Sequence, residues 1–149
     1  MIRTIADLQE YLLADKIALG RKDSKPPVFD FIWRFEISLR YLEYYHNLMH
    51  CNLFQHFFLK YWQVRYIINS IICGFEIPLN VFGKGLSIAH KGTIVVNGAA
   101  RIGNNVLIGA NSCAGKDVPD NVCIAGAPAK IIKNKGRLEI ETDNRTVVR

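Results

Sequence analysis

The chain has 149 residues, of which 50% are hydrophobic and 21% are charged, a balance typical of a globular protein. Its formal net charge of +6 favours acidic partners such as nucleotide phosphates. The basic residues are dispersed and do not form a stripe with interleaved aromatics, which argues against nucleic-acid binding. The four cysteines form no CxxC pair and there is no recognisable secretory leader, so we expect reduced thiols, no metal site and a cytoplasmic protein.

The start of the chain predicts a first helix. Thr4 and Asp7 have the spacing of a capping box, in which each side chain accepts the backbone N–H of the other residue. The helix is predicted from about Ile5 to Asp15. Residues 20–27 (GRKDSKPP) are polar and rich in turn formers, so they are predicted to be a loop.

Two further helices are predicted before residue 75. The second begins near Asp30 and places four apolar residues on one face: Ile32, Phe35, Leu39 and Leu42. The third extends from about Leu53 to Cys73. It is ended by Gly74, because glycine readily adopts the left-handed conformation that closes a helix.

The third helix is long enough to suggest a membrane span. Lys60 and Arg65 lie within it, and each charge in the middle of a bilayer is costly. We therefore expect a helix packed on other helices or buried between subunits. A helix lying in a membrane interface is the alternative.

His46 and His50 are four residues apart, which is a spacing found in zinc sites. No glutamate follows His46 and no third ligand is evident. The sequence therefore predicts no metal ligand in this segment.

The most informative stretch is residues 82–130, where similar side chains recur every six residues. An aliphatic or small residue recurs at Val96, Ile102, Ile108 and Ala114, and earlier at Phe82 and Ile88. Glycine follows at the next position in three of these blocks: Gly103, Gly109 and Gly115. A helix repeats near 3.6 residues and a half-buried strand every two, so neither explains this period. Short strands that turn a corner every six residues do explain it.

Residues 75–103 and 108–132 carry a resemblance to a known family. The second stretch ends in D-V-P-D-N and A-G-x-P-A-K, which is typical of the last coil of the hexapeptide-repeat acyltransferases. The chain most resembles the serine O-acetyltransferase group, and within it the short members associated with bacterial surface polysaccharides. The resemblance implies an α+β fold: an amino-terminal helical region followed by a short left-handed parallel β-helix of about three coils.

The resemblance also divides the chain into three parts. Residues 1–74 form the helical region and residues 75–134 form the β-helix. Residues 135–149 form a polar carboxyl-terminal tail without a motif. The β-helix is shorter than in relatives, as though a middle block of coils had been removed with the six-residue register kept.

Acetyl-CoA is the acetyl donor that the resemblance implies, with no metal. His90 precedes a small-residue turn and an I-V-V run, as the catalytic base does in the family, and would remove the proton of an acceptor hydroxyl. The family's aspartate some fifteen residues earlier is absent, and the nearest candidate is Glu76, shifted by one residue. That departure leaves serine and a sugar hydroxyl both open as acceptors.

Donor binding is expected in the groove between adjacent subunits of a homotrimer, and pairing of trimers into hexamers stays open. The residues that the resemblance places near the donor are Gly109, Ala110, Lys116, Gly126, Ala127 and Lys130. Small residues permit close approach to the backbone, and lysine suits a phosphate. The shortened β-helix leaves a second hypothesis, a weak or inactive relative that serves as a trimeric structural or binding protein.

Overall fold

The computed structural model describes residues 1–48 and 52–136, in which three helices are followed by short strands. The helices are α1 (Ile5–Ala18), α2 (Phe31–Asn47) and α3 (Leu53–Cys73). The strands are β1 (Phe75–Glu76), β2 (Ser87–Ile88), β3 (Ile94–Val96), β4 (Leu107–Ile108), β5 (Ser112–Ala114), β6 (Val122–Ala125) and β7 (Lys130–Asn134). The predicted order, helices first and parallel strands after them, is confirmed. Most of the predicted tail, residues 137–149, lies outside the described residues.

Local signals set the helix ends as predicted, with one exception. The Thr4 hydroxyl accepts the N–H of Asp7, whose carboxylate accepts the N–H of Thr4, so the capping box is confirmed. Gly74 ends α3 with a φ of 77°, in the left-handed region. The predicted end of α1 at Asp15 is wrong, because the helix continues to Ala18 and Asp15 turns inward.

The strands form a parallel coil with three faces. On each face, three segments pair in order along the coil axis: Phe75 with Ile94 and Ser112, Phe82 with Ile102 and Val118, and Ile88 with Ile108 and Ile124. Each segment is only one to four residues long, because the chain then turns a corner to the next face. This is the arrangement that a six-residue period predicts.

The repeated apolar positions point into the coil. They are at most 4% exposed: Phe82, Ile88, Val96, Ile102, Ile108 and Ala114. Phe35 and Leu39 of α2 belong to the same buried cluster, so helices and coil share one core.

The last strand departs from the parallel pattern. β7 pairs antiparallel with β6, with Ala125 opposite Lys130, so the chain reverses after the final coil. Parallel strands need a long connection, whereas the short 126–129 segment permits only an antiparallel return. The sequence did not predict this closing hairpin.

A buried arginine joins the helices to the first coil. Arg40 is 0% exposed, and its Nε lies 2.7 Å from Asp15 Oδ2 while its Nη1 lies 3.0 Å from Glu43 Oε2. The same guanidinium donates to the backbone carbonyls of Phe82 and Gly83 at 3.1 and 2.7 Å. Arg40 therefore satisfies acceptors on α1, α2 and the first coil together.

Three buried carboxyl groups accept the backbone N–H groups of the same coil. Asp15 accepts two of them, and Glu36 and Glu43 accept one each. The donors are the N–H groups of Asn80, Gly85, Leu86 and Ile88. These groups lie at the end of the coil, so the helical carboxyl groups replace a missing strand neighbour. We call Asp15, Glu36, Arg40 and Glu43 the capping cluster.

Burial has a marked effect on the carboxyl group of Glu36 in the capping cluster. Burial raises its pKa well above the ordinary value of 4.5, and the Asp15 charge raises it further. Its Oε1 accepts the N–H of Ile88, and its Oε2 has no hydrogen-bond partner among the described residues. Ionisation of Glu36 would therefore place a poorly solvated charge in the capping cluster and destabilise the folded state.

Replacing Glu36 by glutamine should make folding less sensitive to pH. A carboxyl group whose pKa is raised by folding favours the folded state below pH 4.5, and that contribution is lost as the pH rises towards the folded pKa. Glu36→Gln keeps an oxygen for Ile88 and cannot ionise. Urea unfolding at pH 5 and pH 8 should show a smaller loss of stability in Glu36→Gln than in the wild type. Glu36→Leu, which leaves the N–H of Ile88 without an acceptor, should be less stable at both values. An equal pH dependence in the wild type and Glu36→Gln would contradict this assignment.

Two glycines at equivalent repeat positions should respond differently to alanine. A Cβ on Gly103 would lie 2.6 Å from the backbone nitrogen of Asp120 in the next coil, whereas a Cβ on Gly115 meets nothing within 4 Å. We expect Gly103→Ala to lower the free energy of unfolding by about 1–3 kcal/mol. Gly115→Ala should be neutral or stabilising by up to about 1 kcal/mol, because it restricts the unfolded chain. Urea unfolding measures both, and equal losses would contradict the coil spacing.

Candidate active site

His90 lies at the corner between β2 and β3, and its backbone neighbours are fixed. The N–H of Ala89 donates to the carbonyl of Ile108, and the N–H of Gly92 donates to the carbonyl of Cys73 at the end of α3. The Nζ of Lys91 lies 4.2 Å from the centroid of the Phe31 ring. The main chain on both sides of His90 is therefore held by the coil and by the helices.

The imidazole itself is exposed to solvent. Within residues 1–48 and 52–136, no side chain or backbone group forms a hydrogen bond or ion pair with it. An exposed imidazole without an intramolecular partner is accessible to a substrate.

Small residues are stacked on the corner that carries His90. A Cβ on Gly92 would lie 3.1 Å from Cβ of Ala110, and a Cβ on Gly109 would lie 3.0 Å from Cβ of Ala125. The column continues to Gly126, whose carbonyl accepts the N–H of Cys113. We call residues 89–93, 109–111 and 125–127 the His90 edge. Its low side-chain bulk leaves the backbone open to close approach.

Four of the predicted donor residues therefore lie on the same edge as His90: Gly109, Ala110, Gly126 and Ala127. The structure brings them together although up to 37 positions separate them in the sequence. Parallel stacking of successive coils is the reason, since each coil returns the chain to the same corner.

Asparagine shapes this edge, which the sequence reasoning missed. Asn111 has a φ of 56°, and its Oδ1 accepts the N–H of Thr93 on the coil above at 3.1 Å. Asn105 and Asn121 have φ values of 54° and 59° at another corner, and their side chains hydrogen bond to each other. Asparagine tolerates the left-handed region, so its recurrence within the repeat was a usable signal for the corners.

Glu76 lies on a different part of the coil. It is exposed on β1 beside its register partner Val95, while Phe75 points into the core. The alternation of side chains along a strand turns Glu76 outward on a flat face, whereas His90 lies on a corner. No hydrogen bond or ion pair between described atoms joins the two side chains. A role for Glu76 in holding His90 stays a prediction.

Lys116 and Lys130 lie together around a cavity of about 390 Å³ at the carboxyl-terminal end of the coil. Ile124 and Val118 supply apolar lining, and Asp117 adds a carboxylate. The segment 126–130 connects this cavity to the His90 edge. The predicted donor residues thus form two groups that one short segment joins.

The described residues contain neither a group of metal ligands nor a helix suited to span a membrane. In residues 1–48 and 52–136, no three histidine, cysteine or acidic side chains are grouped as metal ligands would be. The spacing of His46 and His50 cannot be compared with the structure, because His50 lies outside the described residues. None of the helices described combines the length and apolar character that a membrane span requires.

Comparison with curated proteins finds local sequence matches, and no family model matches the chain. A stretch of 32 residues is 59% identical to a protein of Escherichia coli K12 assigned to lipopolysaccharide biosynthesis as an O-acetyl transferase, covering 22% of this chain and 16% of that protein. Another stretch of 40 residues is 45% identical to the galactoside O-acetyltransferase of the same organism, covering 27% and 20%. The matches span a fifth or less of the length of these relatives.

Solved structures of two serine acetyltransferases overlap this chain loosely. The protein from Brucella abortus strain S19 has 18% identity and a TM-score of 0.38, covering 89% of this chain and 71% of that one. The protein from Neisseria gonorrhoeae has 17% identity and a TM-score of 0.44, covering 89% and 67%. Similarities of this size establish neither a fold nor a function by themselves.

The inward six-residue period and the three-faced parallel coil define a hexapeptide-repeat protein. The local matches to two O-acetyltransferases support the resemblance to the hexapeptide-repeat acyltransferase superfamily. Its motifs resemble the serine acetyltransferase-like group of that superfamily.

Proposed function

We propose that the protein is an O-acetyltransferase that moves an acetyl group from acetyl-CoA to a hydroxyl, with His90 as the general base. The observation that supports this most directly is the His90 edge, where an exposed imidazole shares a corner with stacked small residues of the next two coils. A reacting thioester needs both an accessible base and a close backbone surface. That edge offers the two side by side.

In the proposed reaction, His90 removes the proton of the acceptor hydroxyl as its oxygen attacks the thioester carbonyl. The new carbon–oxygen bond forms, the carbon–sulfur bond breaks, and the proton held by His90 passes to the departing sulfur of CoA. Neutral imidazole suits this exchange because its ordinary pKa lies near neutral pH. The exposed imidazole needs an orienting partner, which a neighbouring subunit or the acceptor would supply.

For the donor we propose a path from the His90 edge to the cavity. The pantetheine arm would lie along Gly109, Ala110, Gly126 and Ala127, where small side chains leave backbone groups accessible. The phosphates would lie near Lys116 and Lys130, whose ammonium groups act as point charges. The segment 126–130 makes this path continuous.

A sugar hydroxyl is the acceptor we favour over serine. The two curated relatives are named for a galactoside and for lipopolysaccharide biosynthesis. The aspartate that accompanies the base in serine acetyltransferases is absent, and Glu76 lies on a flat face away from the His90 corner. Serine stays the other acceptor to test.

We also propose that the repeat is a left-handed β-helix of about three coils and that the protein is a homotrimer. A prism this short exposes much of its surface, and neighbouring prisms are its natural cover. The division into residues 1–74, 75–134 and 135–149 stays part of this proposal. A stable monomer in light scattering would contradict the trimer and any donor groove between subunits.

The second candidate is a structural or binding relative without turnover. The short coil favours it, because few coils separate His90 from the cavity at the end of the coil and CoA is a long ligand. Calorimetry with CoA separates the candidates, since a protein without a donor groove should give no binding heat.

Replacing His90 by alanine should abolish most of the transferase activity. A positioned general base contributes roughly 10²–10⁴-fold to rate, so we expect kcat to fall by that factor with little change in CoA affinity. Thiol release from acetyl-CoA with serine and a panel of sugars measures it. His46→Ala, another exposed histidine on α2, is the matched control. Undiminished turnover in His90→Ala would remove His90 from the mechanism.

Replacing Lys130 by alanine should weaken CoA binding through the phosphates alone. We expect about a tenfold loss in CoA affinity, consistent with a lost charge contact, and a loss that shrinks as salt is added. Pantetheine, which lacks the nucleotide, should bind the variant and the wild type equally. Lys133→Ala, on the same strand but outside this cavity, is the control. Equal effects of Lys130→Ala and Lys133→Ala would contradict the proposed phosphate position.

A further inference from the structure

A second cavity, of about 280 Å³, lies between α1, α2 and the loop that joins them. We call it the α1–α2 pocket. Each of the three elements contributes to its lining: Leu12 and Lys16 from α1, Lys25 from the loop, and Trp33, Ile37 and Tyr41 from α2. The α2 residues are spaced by four, so they lie on one face of that helix. The described lining includes no residue of the coil, so the pocket is separate from the proposed acetyl-transfer site.

The loop that closes the α1–α2 pocket is held in place by polar contacts. The Nε of Arg21 lies 2.8 Å from Asp30 Oδ2, so an ion pair joins the two ends of the loop. The Nη1 of Arg34 donates to the carbonyl of Val28 at 2.9 Å. Between these contacts, Pro26 lines the pocket with a backbone whose φ is fixed by its ring. A wall that is already ordered lowers the entropic cost of binding a ligand.

The body of the α1–α2 pocket is apolar and partly aromatic. Leu12 and Ile37 supply aliphatic surface, and Trp33 and Tyr41 supply rings. The Tyr41 ring is itself fixed, because it stacks on Trp62 with the ring centroids 4.2 Å apart. Aromatic rings favour offset-stacked or edge-to-face contact with another ring. The pocket therefore suits a ligand with a flat apolar body.

The indole of Trp33 offers one hydrogen-bond donor to this pocket. The residue is only 3% exposed. Its backbone N–H donates to Asp30 Oδ1, whereas its indole N–H has no acceptor within residues 1–48 and 52–136. The indole nitrogen is not among the fully enclosed polar atoms that lack a partner, so it reaches open space. The α1–α2 pocket is the open space that Trp33 lines, and a ligand acceptor there would satisfy the N–H.

Two lysines make the α1–α2 pocket positive. Neither Lys16 nor Lys25 has an ion pair with any described residue, whereas nearby Arg21 and Arg40 are paired with carboxylates. Aspartate and glutamate are absent from the described lining. An ammonium group and an indole N–H can only donate hydrogen bonds, and a carboxylate can only accept them. The complementary group on a ligand is therefore a single anion.

We propose that the α1–α2 pocket binds a small aryl carboxylate, with its ring against the apolar walls and its carboxylate near Lys16 and Lys25. Ordinary ligand pockets measure ~300–1,000 Å³, so a cavity of about 280 Å³ suits a small molecule and is too small for CoA. The two helices that line it also carry Asp15 and Arg40 of the capping cluster. A bound ligand would thus hold together the helices that cap the coil.

Titration with 3-phenylpropionate tests the pocket in the full-length chain. The chain has two tryptophans, so its ¹⁵N spectrum contains two indole N–H signals, and Trp62→Phe identifies the one that belongs to Trp33. We expect 3-phenylpropionate to shift the Trp33 signal with a Kd on the order of 1 mM, as a ligand of this size can supply. The neutral 3-phenylpropanamide should bind about tenfold more weakly, because it lacks the charge. An unshifted Trp33 signal, or equal affinity for acid and amide, would overturn the proposal.

Replacing the lysines by methionine tests the position of the carboxylate. Lys16→Met and Lys25→Met each remove one charge and keep an apolar stem, so we expect each to weaken 3-phenylpropionate binding about tenfold. Lys22→Met is the matched control, because Lys22 is an exposed lysine of the same loop that does not line the pocket. Urea unfolding should show that all three variants stay folded. Wild-type affinity in both Lys16→Met and Lys25→Met would overturn the proposal. An equal loss in Lys22→Met would show attraction to the general positive charge and overturn it as well.

Discussion

The hydrogen bonds between the capping cluster and the first coil are the constraint on which the rest of the structure depends. A stacked coil leaves backbone donors and acceptors unpaired at each end. At the amino-terminal end, Arg40 takes two carbonyls and Asp15, Glu36 and Glu43 take four N–H groups. Removing charges from water is costly, so this cluster is stable only because nearly every polar atom is paired. The helical region is therefore the end cap of the coil as well as its neighbour.

The same junction positions the proposed base. His90 follows the capped coil by one corner, and the carbonyl of Cys73 accepts the N–H of Gly92, so α3 and the corner are tied directly. Successive coils then carry Gly109 and Gly126 to the same edge. A short coil still presents an edge of this kind because stacking needs only neighbouring turns. The number of coils sets the distance from His90 to the cavity. Whether that distance fits CoA decides between the proposed transferase and an inactive relative.

α3 has more apolar surface than its contacts within the chain cover. One face is anchored through Tyr66 and Asn69, and the opposite face exposes large apolar residues such as Phe57, Val64 and Ile68. Apolar residues on both faces make this stretch hydrophobic all round, so its sequence resembles a membrane span. The two charges, Lys60 and Arg65, mark the boundary between the faces.

The sequence by itself determined the parts of the fold that repeat or start locally. The Thr4 capping box, the stop of α3 at Gly74 and the inward six-residue positions depend on neighbours in the chain, so local pattern was sufficient. The sequence also singled out His90, Gly109 and Gly126, but through the family resemblance alone. It did not show that they share one corner of the coil.

Tertiary structure decided what depends on contacts between distant segments. The capping cluster joins Asp15 to Arg40 and to Gly85, which are distant in the sequence. Its signal in the sequence was the spacing of Glu36, Arg40 and Glu43, which places three charged residues on one side of α2 next to its apolar face. The return of β7, the outward turn of Glu76 and the grouping of Lys116 with Lys130 likewise followed from packing. Spacing along a chain fixes which residues share a face, but not which other face it will meet.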